Sequence, residues 1–306
     1  MRTLLSLAGA VAATPLKRPR PDAPLPAARL SREAVVDARR LARYAALCGF
    51  DRAGDAALPL PYPHLLGFPL AMRLMSRRDF PLPLLGLVHT WITVERHAPL
   101  TAADRLHLTV RAEALAPHRR GTEVTMVTEA RVDGALAWES RSGYLARHTT
   151  EHPAGDTPTE RGHTPTERAP GHTATRRSPG DTATEHTPGR DTAPTPPLLP
   201  ARAEWRLPAG LGRSYGAVSG DRNPIHLHPL TAGAFGFPRA IAHGMWTFAR
   251  CLAESGRPEA TRARAEFRAP VLLPATVTYA TDGSGAFQLR SGERVHLSGE
   301  TSARSA

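Results

Sequence analysis

Between Thr149 and Pro200 the chain carries 13 Thr and 10 Pro, no aromatic residue, and branched aliphatics only at Leu198 and Leu199. A short unit recurs there. Gly155-Asp156-Thr157-Pro158-Thr159-Glu160-Arg161 is followed at once by Gly162-His163-Thr164-Pro165-Thr166-Glu167-Arg168, with looser copies from Gly171 and Gly180. The unit has no apolar position, so stacked copies would bury nothing and a solenoid is excluded. Without apolar burial to offset the entropy of ordering, the stretch is expected to be a disordered linker. The histidines between His152 and His186 have no fixed scaffold on which to build a metal site. The 306-residue chain is thereby divided into a flexible arm (1–29), a first block (30–148), the linker (149–200) and a second block (201–306).

Composition bounds what the blocks can be. Hydrophobic residues make up 41% of the chain and no run of 18 apolar residues occurs, which excludes a transmembrane helix by length. Two cysteines, Cys48 and Cys251, cannot supply a disulfide framework or a zinc ribbon, which fits a reducing compartment. The start, Met1-Arg2 and then mostly apolar Thr3–Ala13, mimics a short signal peptide, but the run is brief and broken by Gly9, so a cytoplasmic protein is expected. All basic side chains but Lys17 are arginine, a mark of coding bias as much as of selection. The linker holds five basic and seven acidic groups, leaving 34 basic against 21 acidic elsewhere, a net +13. Such a field attracts anions, including coenzyme A phosphates and acidic carrier proteins. Nucleic acid is permitted by charge but supported by no binding motif, and none is expected as a partner.

The two blocks repeat one layout. In the first, Ser31 is positioned to cap a helix with Val35, Ala38, Leu41, Ala42 and Ala45 on its apolar face, and a second helix is expected to open near Pro69 and run through Met72 and Met75. Strands follow, with alternation at Leu106, Leu108, Val110, Ala112 and at Val124, Met126, Thr128, Ala130, and a turn at Asp133-Gly134. In the second, a segment around Tyr215 leads to a polar loop. A helix from Gly244 places Met245, Phe248, Ala249 and Leu252 on one face, and strands follow at Val277–Ala280, Phe287–Arg290 and Val295–Ser298. A helix against an antiparallel sheet, present twice, is an α+β arrangement. Weaker echoes agree: Tyr44-Ala45-Ala46-Leu47-Cys48-Gly49 with Tyr215-Gly216-Ala217-Val218-Ser219-Gly220, His64 with His243, and Arg96-His97-Ala98-Pro99-Leu100 with Phe267-Arg268-Ala269-Pro270-Val271. They indicate an ancient duplication.

The chemistry-bearing stretch is Ser219-Gly220-Asp221-Arg222-Asn223-Pro224-Ile225-His226-Leu227-His228, followed by Ile241-Ala242-His243-Gly244-Met245. A carboxylate and an imidazole five residues apart can hold one water between them and move its proton. The Gly244 N–H, at a helix N-terminus, can bond to a carbonyl oxygen that gains negative charge. These parts suit addition of water next to an activated carbonyl, or its elimination. His243 is expected to make a local hydrogen bond at the helix start. A metal site from His226, His228 and His243 explains less than the Asp–His pairing. Arg222, Arg239 and Arg250 could reach phosphates or simply be solvated.

Tyr215-x-x-x-Ser219-Gly220-Asp221-x-Asn223-Pro224-Ile225-His226, with Phe235-Gly236-Phe237, Ile241-Ala242-His243-Gly244-Met245 and Phe267-Arg268-Ala269-Pro270-Val271-Leu272, resembles the MaoC-like, or (R)-specific enoyl-CoA hydratase 2, family over about residues 212–275. The resemblance implies a double (tandem) hotdog fold, an antiparallel sheet wrapped around central helices. It also implies reversible hydration of trans-2-enoyl thioesters to (3R)-hydroxyacyl thioesters, on coenzyme A or acyl carrier protein, in fatty-acyl metabolism and without a cofactor or metal. Asp221 and His226 would activate water and Gly244 would hold the oxyanion. Asn223, Ser219 and Met245 would border the substrate, with Asn223 shaping the loop. The first block departs from the pattern: Phe50 stands where Asp221 does and Leu65 where Gly244 does, and no Asn-Pro-Ile-His follows Gly49. It reads as a degenerate repeat that gives acyl-chain space and the pseudo-dimer contact, with one site per chain and a homodimer permitted. A hotdog thioesterase and a non-catalytic acyl-binding or partner subunit remain the rival readings.

Overall fold

A computed structural model describes residues 17–20, 22–50, 57–149 and 196–303. The Thr/Pro repeat and the signal-like start of the chain lie outside the described residues. The first repeat runs β1 (Arg29–Val35), α1 (Ala38–Cys48), α2 (Tyr62–Met75), β2 (Val88–Arg96), β3 (Arg105–His118), β4 (Gly121–Val132) and β5 (Ala135–Arg147). The second runs β6 (Ala201–Leu207), α3 (Leu211–Ser219), the short α4 (Pro224–Leu227) and α5 (Pro229–Gly233), α6 (Gly244–Glu254), β7 (Arg262–Phe267), β8 (Ala275–Thr281), β9 (Ala286–Ser291) and β10 (Arg294–Ser302).

All ten strands form one sheet in the order β1-β3-β4-β5-β2-β7-β10-β9-β8-β6. Renumbered within its own repeat, each half has the same five-strand order, and the halves join edge to edge where β2 pairs antiparallel with β7, Ile92 opposite Ala265. Two of the sequence echoes, those at Tyr44/Tyr215 and at Arg96/Phe267, fall on equivalent places. Tyr44 and Tyr215 lie on α1 and α3, which end at Gly49 (φ 81°) and Gly220 (φ 83°) in the left-handed conformation that stops a helix. The His97 and Ala98 amides both donate to Ala137, and the Arg268 and Ala269 amides both donate to His296. The fold is a double hotdog of α+β class.

Each half buries one side of its sheet against a central helix. In the first, Leu106, Leu108 and Val110 from β3, Val124 and Met126 from β4, and Ile92 and Val94 from β2 face Leu65, Leu66, Leu70 and Leu74 of α2. In the second, α6 presents Phe248, Ala249 and Leu252 to Val277, Leu289 and Leu297. Each of these Val, Leu, Ile, Met and Phe side chains, fully removed from water, contributes about 1.5–3 kcal/mol relative to exposure. Among the described residues no helix is long and apolar enough to cross a membrane. Cys48 and Cys251 are both free thiols in the core.

Two helix expectations in the first repeat are corrected. Residues around Ser31 form β1, an edge strand on β3. The Ser31 hydroxyl meets that of Thr109 at 3.0 Å, and α1 is instead capped by Asp37, whose carboxylate accepts from the Arg40 amide at 2.9 Å. The second helix begins at Tyr62, with Pro63 in its first turn, so Pro69 lies inside it and His64 belongs to the helix instead of preceding it.

Candidate active site

The backbone of the Asp221 loop is built by short polar contacts. The Ser219 hydroxyl accepts from the Asp221 amide (3.0 Å) and Asp221 Oδ1 accepts from the Asn223 amide (3.1 Å). Asn223 Oδ1 accepts from the Ile225 amide (3.4 Å) and caps α4. These are the side-chain-to-backbone turns that Ser, Asp and Asn make two residues along the chain. His226 therefore stands on a short helix, not in the open loop that the sequence suggests. The loop sits against α3 only because that helix turns glycine toward it. A Cβ on Gly212 would lie 1.9 Å from the His226 carbonyl oxygen, and one on Gly216 would lie 2.7 Å from that of Asp221. This i, i+4 glycine pair is a sequence signal that a search for catalytic residue types passes over.

Across the loop, residues 240–243 are held from both sides. The Ile241 amide donates to Ile225 (3.1 Å), the Ala242 amide to Val271 (2.9 Å), and Ile241 bridges Leu272. This fixes His243 and Gly244 at the head of α6. No side chain caps α6, and the Gly244 N–H is its first amide, ahead of the Trp246 amide that donates to the His243 carbonyl. Gly244 packs closely against β7, since a Cβ there would lie 3.0 Å from Phe267 Cε1 and the ring would have to give way by a few tenths of an ångström.

The three ionisable side chains of the stretch meet. One ligating atom from each of Asp221, His226 and His243 lies within 4.8 Å of the others. His226 is 8% exposed and its Nδ1 is 2.9 Å from the Ile241 carbonyl. A carbonyl only accepts, so Nδ1 carries the proton and Nε2 is left as a base. Burial lowers the His226 pKa, with the Asp221 carboxylate opposing that shift, so the ring is neutral near pH 7. The Asp221 side chain is about a quarter exposed.

His243 has a different task. Its Nε2 donates to the Asp221 main-chain carbonyl (3.1 Å) and stands 3.7 Å from Oδ2. Its ring stacks on His226 with centroids 3.7 Å apart and lies 4.9 Å from the Tyr215 ring. Burial, and secondarily His226, pushes its pKa down to about 3, so it is an uncharged spacer that holds Asp221 and His226 in register. The local hydrogen bond expected for it exists and runs to the Asp221 loop. The same three side chains are grouped closely enough to offer ligand atoms to an ion, but the hydrogen bond of His243 Nε2 to the Asp221 carbonyl uses that nitrogen as a donor.

Residues of the first repeat brace this site, and nothing local in the sequence announces them. Arg40 on α1 donates from Nε to Val218 (2.6 Å) and from Nη2 to Ser219 (3.0 Å), satisfying the last carbonyls of α3 just before Asp221. Trp246 Nε1 donates back to Leu47 (3.1 Å). Of the other residues singled out, Met245 is half-buried against the core and Arg222 is exposed. Arg239 donates to the Pro274 carbonyl. Arg250 stacks on Trp205 at 4.3 Å and pairs with Glu254 at 2.8 Å, which makes it a packing residue instead of a phosphate ligand.

Comparison with known proteins finds relatives of the chain and of its fold. Residues 208–302 match the family model described as a MaoC-like domain. The chain is 35% identical over 260 residues to 3-hydroxyacyl-thioester dehydratase X of Mycobacterium tuberculosis, spanning 84% of this chain and 81% of that protein. The crystal structure of HtdX from the same organism superposes with a TM-score of 0.69 at 30% identity, covering 90% of this chain and 100% of the other. A MaoC-like dehydratase from Phytophthora capsici shares the fold at 18% identity, with a TM-score of 0.66 over 93% of this chain and 98% of its own. A likeness this close, spread over both repeats and not confined to the motif, places the chain in the MaoC-like dehydratase family.

Proposed function

We propose that the protein catalyses the reversible (R)-specific hydration of trans-2-enoyl thioesters, and so the dehydration of (3R)-hydroxyacyl thioesters, in fatty-acyl metabolism. The observation that carries this reading is the pairing of a neutral, Nδ1-protonated His226 with Asp221 beneath the uncapped N-terminus of α6. Asp221 orients a water through its carboxylate, and His226 Nε2 takes a proton from it as the oxygen bonds to C3. The electron pair of the double bond moves through C2 onto the thioester oxygen, which the Gly244 N–H holds. His226 returns the proton to C2, so one water is added and nothing else is consumed. Asn223 and Ser219 keep Asp221 in place, Met245 borders the acyl carbons, and the first repeat supplies room for the chain. The curated relative's activity on 3-hydroxyacyl thioesters supports the same chemistry.

The test is loss of enoyl-thioester absorbance with trans-2-enoyl chains of increasing length, on coenzyme A and on acyl carrier protein, followed by chiral analysis. The expected product is the (3R)-hydroxyacyl thioester. Release of free thiol would indicate a thioesterase, and binding without turnover on either carrier would indicate an acyl-binding subunit.

A further inference from the structure

The first repeat lacks the catalytic residues, yet its interior is not uniformly apolar. Along β5, Ser140, Ser142 and Tyr144 occupy alternate positions and share one face, and all three are buried. Their neighbours across the sheet are Val94, Ile92, Met126 and Val124, with Thr128 beside Ser140. His64, from the first turn of α2, reaches Ser140 Oγ with Nδ1 at 3.0 Å. His89 on β2 lies opposite Tyr144, stacks on its ring at 4.6 Å and lies 4.7 Å from the Phe267 ring, the side chain seated over Gly244. Tyr144 is in turn near enough to Asp221 for the carboxylate to help burial raise the pKa of its phenol. From Phe267 over Gly244, a polar row thus leads into the non-catalytic repeat: His89 with Tyr144 and Ser142, then Ser140 with His64.

Two members of the row lack a well-formed hydrogen bond. His89 Nε2 is buried without a partner, and so is Ser142 Oγ, although it lies beside the Tyr144 hydroxyl. Buried polar atoms of this kind destabilise a fold, and apolar side chains of similar size would not. They are therefore a feature to be explained by a ligand group that they bond. Burial holds His64 at about 4 and His89 at about 3, so both rings are neutral donors and acceptors, and no cation stands in the row. The group they suit is a neutral oxygen, not a carboxylate. It also belongs to the acyl end, because the bulky carrier of a thioester must remain in solvent, whereas His89 Nε2 and Ser142 Oγ are buried.

We infer that His89 and Ser142 form a specificity subsite for a hydroxyl or oxo group carried on the acyl chain beyond the reacting carbons. This rests on the thioester reading above. The test compares kcat/KM for a trans-2-dodecenoyl thioester with that for matched chains carrying a hydroxyl or oxo group walked along the carbons beyond C4. One oxygenated position should exceed the plain chain by about tenfold or more, since a site built to bond an oxygen rejects the analogue that lacks it. His89→Phe and Ser142→Ala should each bring that ratio toward one, the first lowering the oxygenated substrate and raising the plain one. Should His89→Phe fail to fold, Ser142→Ala, which removes an unpaired group, still reads the ratio. A plain chain turned over as well as every oxygenated one, or variants that leave the ratio untouched, would overturn the inference. Plain trans-2-enoyl thioesters of graded length, from butenoyl upward, separate the two readings. If any of them is hydrated while no oxygen preference appears, only the subsite fails; if none is hydrated on either carrier, the reaction assignment fails and takes the subsite with it.

Discussion

At the scale of single residues, two stacked imidazoles make different hydrogen bonds and so have different tasks. His226 offers a free basic nitrogen because its other nitrogen donates to Ile241, whereas His243 spends its donor on the Asp221 backbone. Asp221→Asn and His226→Gln should each lower turnover about 10²–10⁴-fold with little change in thermal midpoint, the usual size of an acid–base contribution. His243→Gln should raise KM and lower kcat together by disordering the loop. The buried histidines also set an acid limit on stability. His64, His89 and His243 take up a proton near pH 6.5 when unfolded, but in the folded protein only at about 4, 3 and 3. Between those values the unfolded chain binds more protons, so stability falls as pH drops from 6.5 toward 4, by up to about 1.4 kcal/mol per unit for each imidazole. Urea midpoints measured across that window should decline steadily; a flat profile would contradict the neutral buried assignments.

At the scale of elements, α3 and the loop after it are positioned by backbone approach and by a neighbour from the other repeat. Gly212→Ala places a Cβ against the His226 carbonyl, and should cost about 1–3 kcal/mol by overpacking together with most of the activity. Arg40→Met removes two donors from the end of α3. It should destabilise by about 1–3 kcal/mol in urea titrations, with Arg40→Lys recovering only part because lysine lacks the planar fork. How far such elements are legible depends on where their burial comes from. The strands around Val110, Met126 and Leu289 show buried faces in their residue patterns because each has one face on its own helix, and α6 shows its period for the same reason. β1 reads as a helix from its residues because it is an edge strand with only Ala34 buried, so its pairing with β3 leaves little trace in the pattern. Pro69 misleads because proline signals a first turn, and here α2 carries it internally while Pro63 takes the first-turn place.

At the scale of the whole molecule, the two repeats are one sheet, and their division of labour follows from that. The motif residues Asp221, Asn223, His226 and Gly244 are legible because they are close in sequence and their chemistry needs those types. Arg40, His89 and Tyr144 are not, because only the β2–β7 pairing and the packing of α1 on α3 bring them near. The second repeat expressed alone should therefore expose β7 as an unpaired edge and aggregate or self-pair in size-exclusion chromatography, with turnover lost. The measurement that bears most directly on the catalytic assignment is hydration of a trans-2-enoyl thioester by the full chain and by its Asp221→Asn variant, followed side by side. The expected result is (3R) product from the first and at least about a hundredfold slower turnover from a folded second. Equal rates from the two would place the reacting centre somewhere other than the Asp221–His226 pair.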